Sequence, residues 1–125
     1  MVMIDVDLDE DRLRIRFTTT ETLLALVHDL DEPLSEVRSV QRLRDPWLAV
    51  HGWRTGLGLR GVWLLGTWSR RGHRQLVALR RDQAALRITM RSGHYEELLV
   101  STPHPGVVEE RLHRSGVTVE RLSVA

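Results

Sequence analysis

The run "IDVDLDEDRLRIRF", Ile4 to Phe17, leaves little freedom in how the start of this chain folds. Ile4, Val6 and Leu8 alternate with Asp5, Asp7 and Asp9; Leu13, Ile15 and Phe17 then alternate with Arg12, Arg14 and Arg16. A side-chain period of two sends apolar groups to one face and charges to the other, as in two half-buried strands. Folding the run about Glu10-Asp11 sets Leu8 opposite Leu13, Val6 opposite Ile15 and Ile4 opposite Phe17. The same register sets Asp9 against Arg12, Asp7 against Arg14 and Asp5 against Arg16. Opposite charges directly across a strand pair stabilise it by about 0.2–1 kcal/mol each. A slip of one residue would turn every apolar group outward.

Further along, Thr18 and Glu21 have capping-box spacing, and Leu23, Leu24, Leu26, Val27 and Leu30 share one helical face. They predict one short helix near residues 20–28, stopped before Pro33. Residues 34–44, "LSEVRSVQRLR", fit two patterns: Leu34, Val37 and Val40 suit a helix, while Val37 to Leu43 suits a bulged strand. The C-terminal half is strand-rich. "GVWLLGTW" is an apolar run broken by Gly66, and "RQLVALRR" and "ALRITMR" make an antiparallel hairpin turned by Asp82-Gln83-Ala84. Ser92-Gly93 turns the chain into a strand at "YEELLVS". Pro105 opens a helix over "GVVEERLHR" that ends at Gly116, and "VTVERLSV" adds an edge strand.

The stretch "GLGLRG", Gly56 to Gly61, has the spacing G-x-G-x-x-G of dinucleotide-binding loops. That fingerprint must follow a buried strand and open a helix within a βαβ unit. Here "RDPWLAVHGWR" precedes it, and Gly66 and Gly72 interrupt any helix after it. The stretch therefore reads as a sharply bent connection between strands.

At 125 residues the chain is read as one domain, residues 1–125. It has no cysteine, which excludes disulfides, thiolate metal sites and a thiol nucleophile. The start is acidic and alternating, unlike a signal peptide, and no apolar run reaches the roughly 18 residues of a membrane span. A cytoplasmic address is expected. All 18 basic residues are Arg, but 17 acids nearly cancel them, leaving none of the basic excess of a nucleic-acid protein.

The segment "EPLSEVRSVQRLRDPWLAVHGWRTGLGLRGVWLLGTW" resembles a group of uncharacterised actinobacterial proteins with a Pro-Leu-Ser-x-Val-x-Ser-Val strand, an Asp-Pro-Trp turn, a Gly-rich loop and a Gly-Thr strand. The likeness extends through "YEELLVS" and the helix after Pro105; Leu57 and Arg60 depart from the small residues and proline common in that loop. Its Pro-Leu-Ser-x-Val part is similar to a strand in bacterial pleckstrin-homology-like (PH-like) domains, which favours a strand over residues 37–43. The resemblance implies an α+β fold: a strongly bent antiparallel sheet, a partly open barrel, plugged by the C-terminal helix. The short helix near residues 20–28 is an addition. Lipid-binding relatives use basic residues around their first hairpin turn. Asp9-Glu10-Asp11 occupies that turn here, which implies the scaffold without the lipid site.

Candidate chemistry is sparse. The six histidines have no i, i+4 pair of metal-ligand type, and no serine sits in a G-x-S-x-G elbow. In "HYEE" only His94 and Glu96 can share a strand face. No catalytic residue, metal or cofactor is assigned. The candidate contact is the turn "WSRRGHR", where Trp68, Arg70, Arg71, His73 and Arg74 form a positive stretch with no acid up to Arg81. Gly66 would bend the strand there, and Gly72 would supply a positive φ. The leading expectation is a non-enzymatic module that binds a protein partner or itself, with self-association through Trp47, Trp53 or a strand edge. An anionic surface at the turn is secondary. The alternative is a small-molecule or enzymatic site built from Arg and His side chains, His94 or Arg87 among them, in the bend of the sheet.

Overall fold

The computed structural model describes residues 4–9, 11–17, 29–50, 53–59 and 62–120. The helix expected near residues 20–28 lies outside them. The alternating run forms β1 (Ile4–Asp9) and β2 (Arg12–Phe17), paired antiparallel in the expected register, Ile4 opposite Phe17 through Asp9 opposite Arg12. The ion pairs, however, are not the directly opposed ones. Arg14 reaches diagonally to Asp9 at 2.9 Å, and Arg12 reaches Asp31 at 2.6 Å. Asp31 belongs to β3 (Leu30–Pro33), which pairs with β2 and competes for its arginines.

Residues 34–44 resolve in favour of the strand. A 3-10 turn at Leu34–Glu36 leads into β4 (Val37–Leu43), whose register shifts between Val37 and Ser39. The bulge explains the helix-like spacing. It resets the alternation, so that Val37 and Val40, three residues apart, both point into the main core.

A second 3-10 turn, Pro46–Ala49, precedes β5 (Trp53–Leu59), β6 (Trp63–Arg70), β7 (His73–Arg80), β8 (Ala84–Met90) and β9 (Glu97–Thr102). Helix α1 (Pro105–Arg114) and β10 (Thr118–Glu120) complete the described chain. The large sheet has the order β10-β4-β8-β9-β7-β6-β5 and is open, and β1-β2-β3 form a separate three-stranded sheet. With one α-helix on predominantly β structure, the described residues form an α+β fold.

Three expectations are corrected. The sheet is mixed, because β7–β9 and β4–β10 are parallel. Strands β7 and β8 do not form a hairpin, since β9 inserts between them. Its residues Leu98 to Thr102 are all buried, and a strand covered on both faces belongs in the middle of a sheet. The glycine run is not a loop. Gly56 and Gly58 lie within edge strand β5, antiparallel to β6, and β6 continues unbroken through Gly66. A Cβ on Gly58 would stand 2.5 Å from Leu64 Cδ2 and 2.7 Å from the Trp63 carbonyl oxygen, so a neighbouring side chain fills the space a larger residue would need.

The main core lies between the small sheet, α1 and one face of the large sheet, with Leu13, Ile15, Leu76, Ile88, Leu98 and Leu112 fully enclosed. A second cluster on the opposite face gathers Leu43, Trp68, Val77, Leu79 and Leu99 beneath Trp47 and Val50. Trp47 is half-buried against this cluster, and the side chain of Trp53 lies outside the described residues. Helix α1 begins at Pro105 and ends in a Schellman motif. The Gly116 N–H (φ 90) donates to the His113 carbonyl and the Val117 N–H to that of Leu112, both at 3.0 Å.

Candidate functional site

Strands β6 and β7 meet in a two-residue turn, Arg71-Gly72, closed by the Arg70–His73 pair. Both turn residues have positive φ, 51° and 83°, the arrangement that matches the twist of a tight hairpin. Glycine adopts it freely; for arginine the left-handed conformation costs about 1–2 kcal/mol. Arg71 is the one non-glycine with positive φ among the described residues.

The sequence places Trp68 with the arginines, but the structure separates them. Trp68 is 6% exposed and anchors the root of the hairpin in the second cluster. Two residues later the strand has cleared the sheet, and Arg70, Arg71, His73 and Arg74 are exposed. With Gln75, Glu96 and Glu97 they line an open cavity of about 340 Å³.

The far wall is the turn joining β8 to β9. The Glu96 N–H donates to the Arg74 carbonyl and the Met90 N–H to the Glu96 carbonyl, both at 2.9 Å. His73 Nδ1 meets the Glu96 carboxylate, and Arg74 Nη1 lies 3.2 Å from His94 Nδ1. The tip therefore has an acid beside it that the linear sequence does not show. His94 and Glu96, which the sequence allows to share a strand face, each engage a tip residue. Glu97, at the cavity floor, receives the Gln75 side-chain amide, which also donates to the Ala49 carbonyl at 2.8 Å. Behind it, Arg87 Nε stands 3.5 Å from Glu97 Oε2, and Arg87 Nη1 donates to Gln41 Oε1 at 3.2 Å. Arg87 thus neutralises Glu97 from behind rather than converging on the cavity.

Gln75, Glu97, Arg87 and Gln41 were not singled out as a group by sequence reasoning. One signal was present: Gln75 opens an otherwise apolar run and is itself 1% exposed, and a polar group so placed needs partners. Their strand order, with β9 between β7 and β8, is what brings them together.

The charge balance follows. Glu97 is offset by Arg87 and Glu96 faces His73, whereas Arg70 and Arg71 join no ion pair among the described residues. Free guanidinium groups at a cavity mouth are suited to bidentate hydrogen bonding with carboxylate or phosphate. Among the described residues no group of three His, Asp or Glu side chains is placed to hold a metal. Compared with protein families, curated proteins and solved structures, the chain finds no match.

Proposed function

We propose that this chain is a non-catalytic binding module of PH-like type, acting in the cytoplasm, whose β6–β7 tip receives a carboxylate-rich segment of a protein partner. The observation that carries this reading is Arg71. It occupies a left-handed turn position where asparagine or glycine is favoured, beside an equally unpaired Arg70 at the mouth of the cavity. Strain held where a charged side chain meets solvent is the pattern of a contact residue rather than of a folding device. A helix packed on a sheet of mostly antiparallel pairs supports the PH-like part, from which the two parallel pairs depart. Exposed Asp9 and Asp11 in the first hairpin disfavour a phosphate there. The engagement of Arg87 by Glu97 favours a binding module over a site for acid–base chemistry. No helix among the described residues is long and apolar enough to cross a membrane.

The test is a titration of the wild type and of an Arg70→Gln/Arg71→Gln/Arg74→Gln variant against an Asp/Glu-rich peptide, anionic vesicles and short single-stranded DNA. The wild type should bind the peptide in a salt-sensitive way, and the variant should lose at least about tenfold in affinity. Equal peptide binding by both proteins would refute the reading, as would a clear preference for vesicles or DNA.

A further inference from the structure

A surface of matching charge lies on the same chain. Asp5, Asp9 and Asp11 of the first hairpin are exposed and Asp7 is half-buried. Arg12 and Arg14 direct their ion pairs to Asp31 and Asp9; Asp5 stands across from Arg16, Asp7 shares a cavity with Arg111 and Asp11 feels the charge of Arg12, but none of the three aspartates forms an ion pair among the described residues. The net charge of +1 thus conceals two poles of opposite sign, an acidic β1–β2 hairpin and an arginine-bearing β6–β7 hairpin.

Resting on the reading of the β6–β7 tip as a receptor for carboxylates, we infer that its partner is the β1–β2 hairpin of a second copy of this chain. Strand β1 is an edge of the small sheet, and Asp5, Asp7 and Asp9 follow one another along its outer side. Charges so placed discourage another strand from adding to the edge by backbone pairing. They leave an approach by cationic side chains open, and Arg70 and Arg71 are such groups. Of the exposed large hydrophobic residues, Leu48, Val62 and Val119 line neither pole, while Val107 shares a cavity with Asp5 and Asp7. The contact rests on the charges and fades as salt rises. Because the two poles are different surfaces, the contact either closes reciprocally in a two-fold dimer or runs head to tail into a ring or an open chain.

Sedimentation velocity over a range of concentrations, at about 0.01 M and about 1 M salt, tests this, since the screening length falls from about 30 Å to about 3 Å between them. The wild type should exceed the monomer mass at low salt and return to it at high salt. The Arg70→Gln/Arg71→Gln/Arg74→Gln variant and an Asp5→Asn/Asp7→Asn/Asp11→Asn variant should each stay monomeric alone. Mixed in equal amounts they should form a dimer and nothing larger, because each retains one pole. If the triple aspartate variant fails to fold, Asp5→Asn/Asp11→Asn, which changes exposed positions alone, replaces it. A wild type that stays monomeric at low salt overturns the inference, as do self-association by either variant alone and a mixture that stays monomeric. A monomeric wild type that still binds the Asp/Glu-rich peptide through its arginines would sink the self-partner and leave the proposed function standing. Failure of both experiments would sink both.

Discussion

The β1–β2 and β6–β7 hairpins each leave two residues between their last paired positions, Asp9 opposite Arg12 and Arg70 opposite His73, and yet they follow different rules. In the β1 and β2 strands the alternation agrees with the fold: apolar groups face the core, charges face out, and Arg12 and Arg14 find aspartates within the small sheet. In β6–β7 the root is equally regular, with Trp68 and Gln75 buried opposite each other, but the tip is not. It sets Arg71 in a conformation unfavourable to its side chain and leaves two guanidinium groups unpaired. Where local preference and tertiary structure agree, a segment is explained by folding; where they part, function is the natural place to look.

The largest effects should come from the buried roots, where the two hairpins behave alike. Leu13→Ala should cost about 2–5 kcal/mol and Trp68→Ala about 3–5 kcal/mol, because each leaves a cavity in a closed cluster. Denaturant unfolding checks both. A loss below about 1 kcal/mol for Trp68→Ala would place that ring on the surface and return it to the contact site.

This contrast also marks what could be read without coordinates. The β1–β2 register was fully legible, because alternation and charge specify it within fourteen consecutive residues, Ile4 to Phe17. The C-terminal helix was legible from Pro105 and Gly116. The diagonal ion pairs were not, since the competing Asp31 arrives from a strand beyond the expected helix. Nor was the glycine segment: the space over Gly58 is taken by Leu64, a neighbour defined by pairing with β6. The arginines of the tip were visible in the sequence, but their acidic neighbour Glu96 was not. It reaches the tip at His73 because β9 enters the sheet beside β7, a long-range choice with no local signature beyond the unbroken apolar stretch in "ELLVST".

A smaller effect separates the hairpins by pH. The hydrogen bond from Arg12 holds the Asp31 carboxyl below the ordinary aspartate range. A lowered folded value means that the pair's stabilisation is complete above the unfolded pKa of about 4 and is lost as pH falls through the folded value. The matching rise at Arg12 acts only near the ordinary guanidinium range, far above neutrality. Asp31→Asn should therefore lower the thermal midpoint slightly at neutral pH, with the difference from wild type shrinking as the solution is acidified below about pH 4. A difference that stays constant across acid pH would mean that the pair contributes nothing through charge.

Arg71→Asn carries the contrast into one experiment, with stability and binding measured on the same protein. Asparagine suits the left-handed turn position, and Gly72 after it completes a favoured hairpin dipeptide. If the turn gives up stability in order to present a cation, the variant should gain up to about 1 kcal/mol in unfolding free energy. Its affinity for the Asp/Glu-rich peptide should fall by at least about threefold, roughly what one exposed charge contact contributes. A variant that is more stable and binds as tightly as the wild type would contradict the account, leaving Arg71 a turn residue like any other.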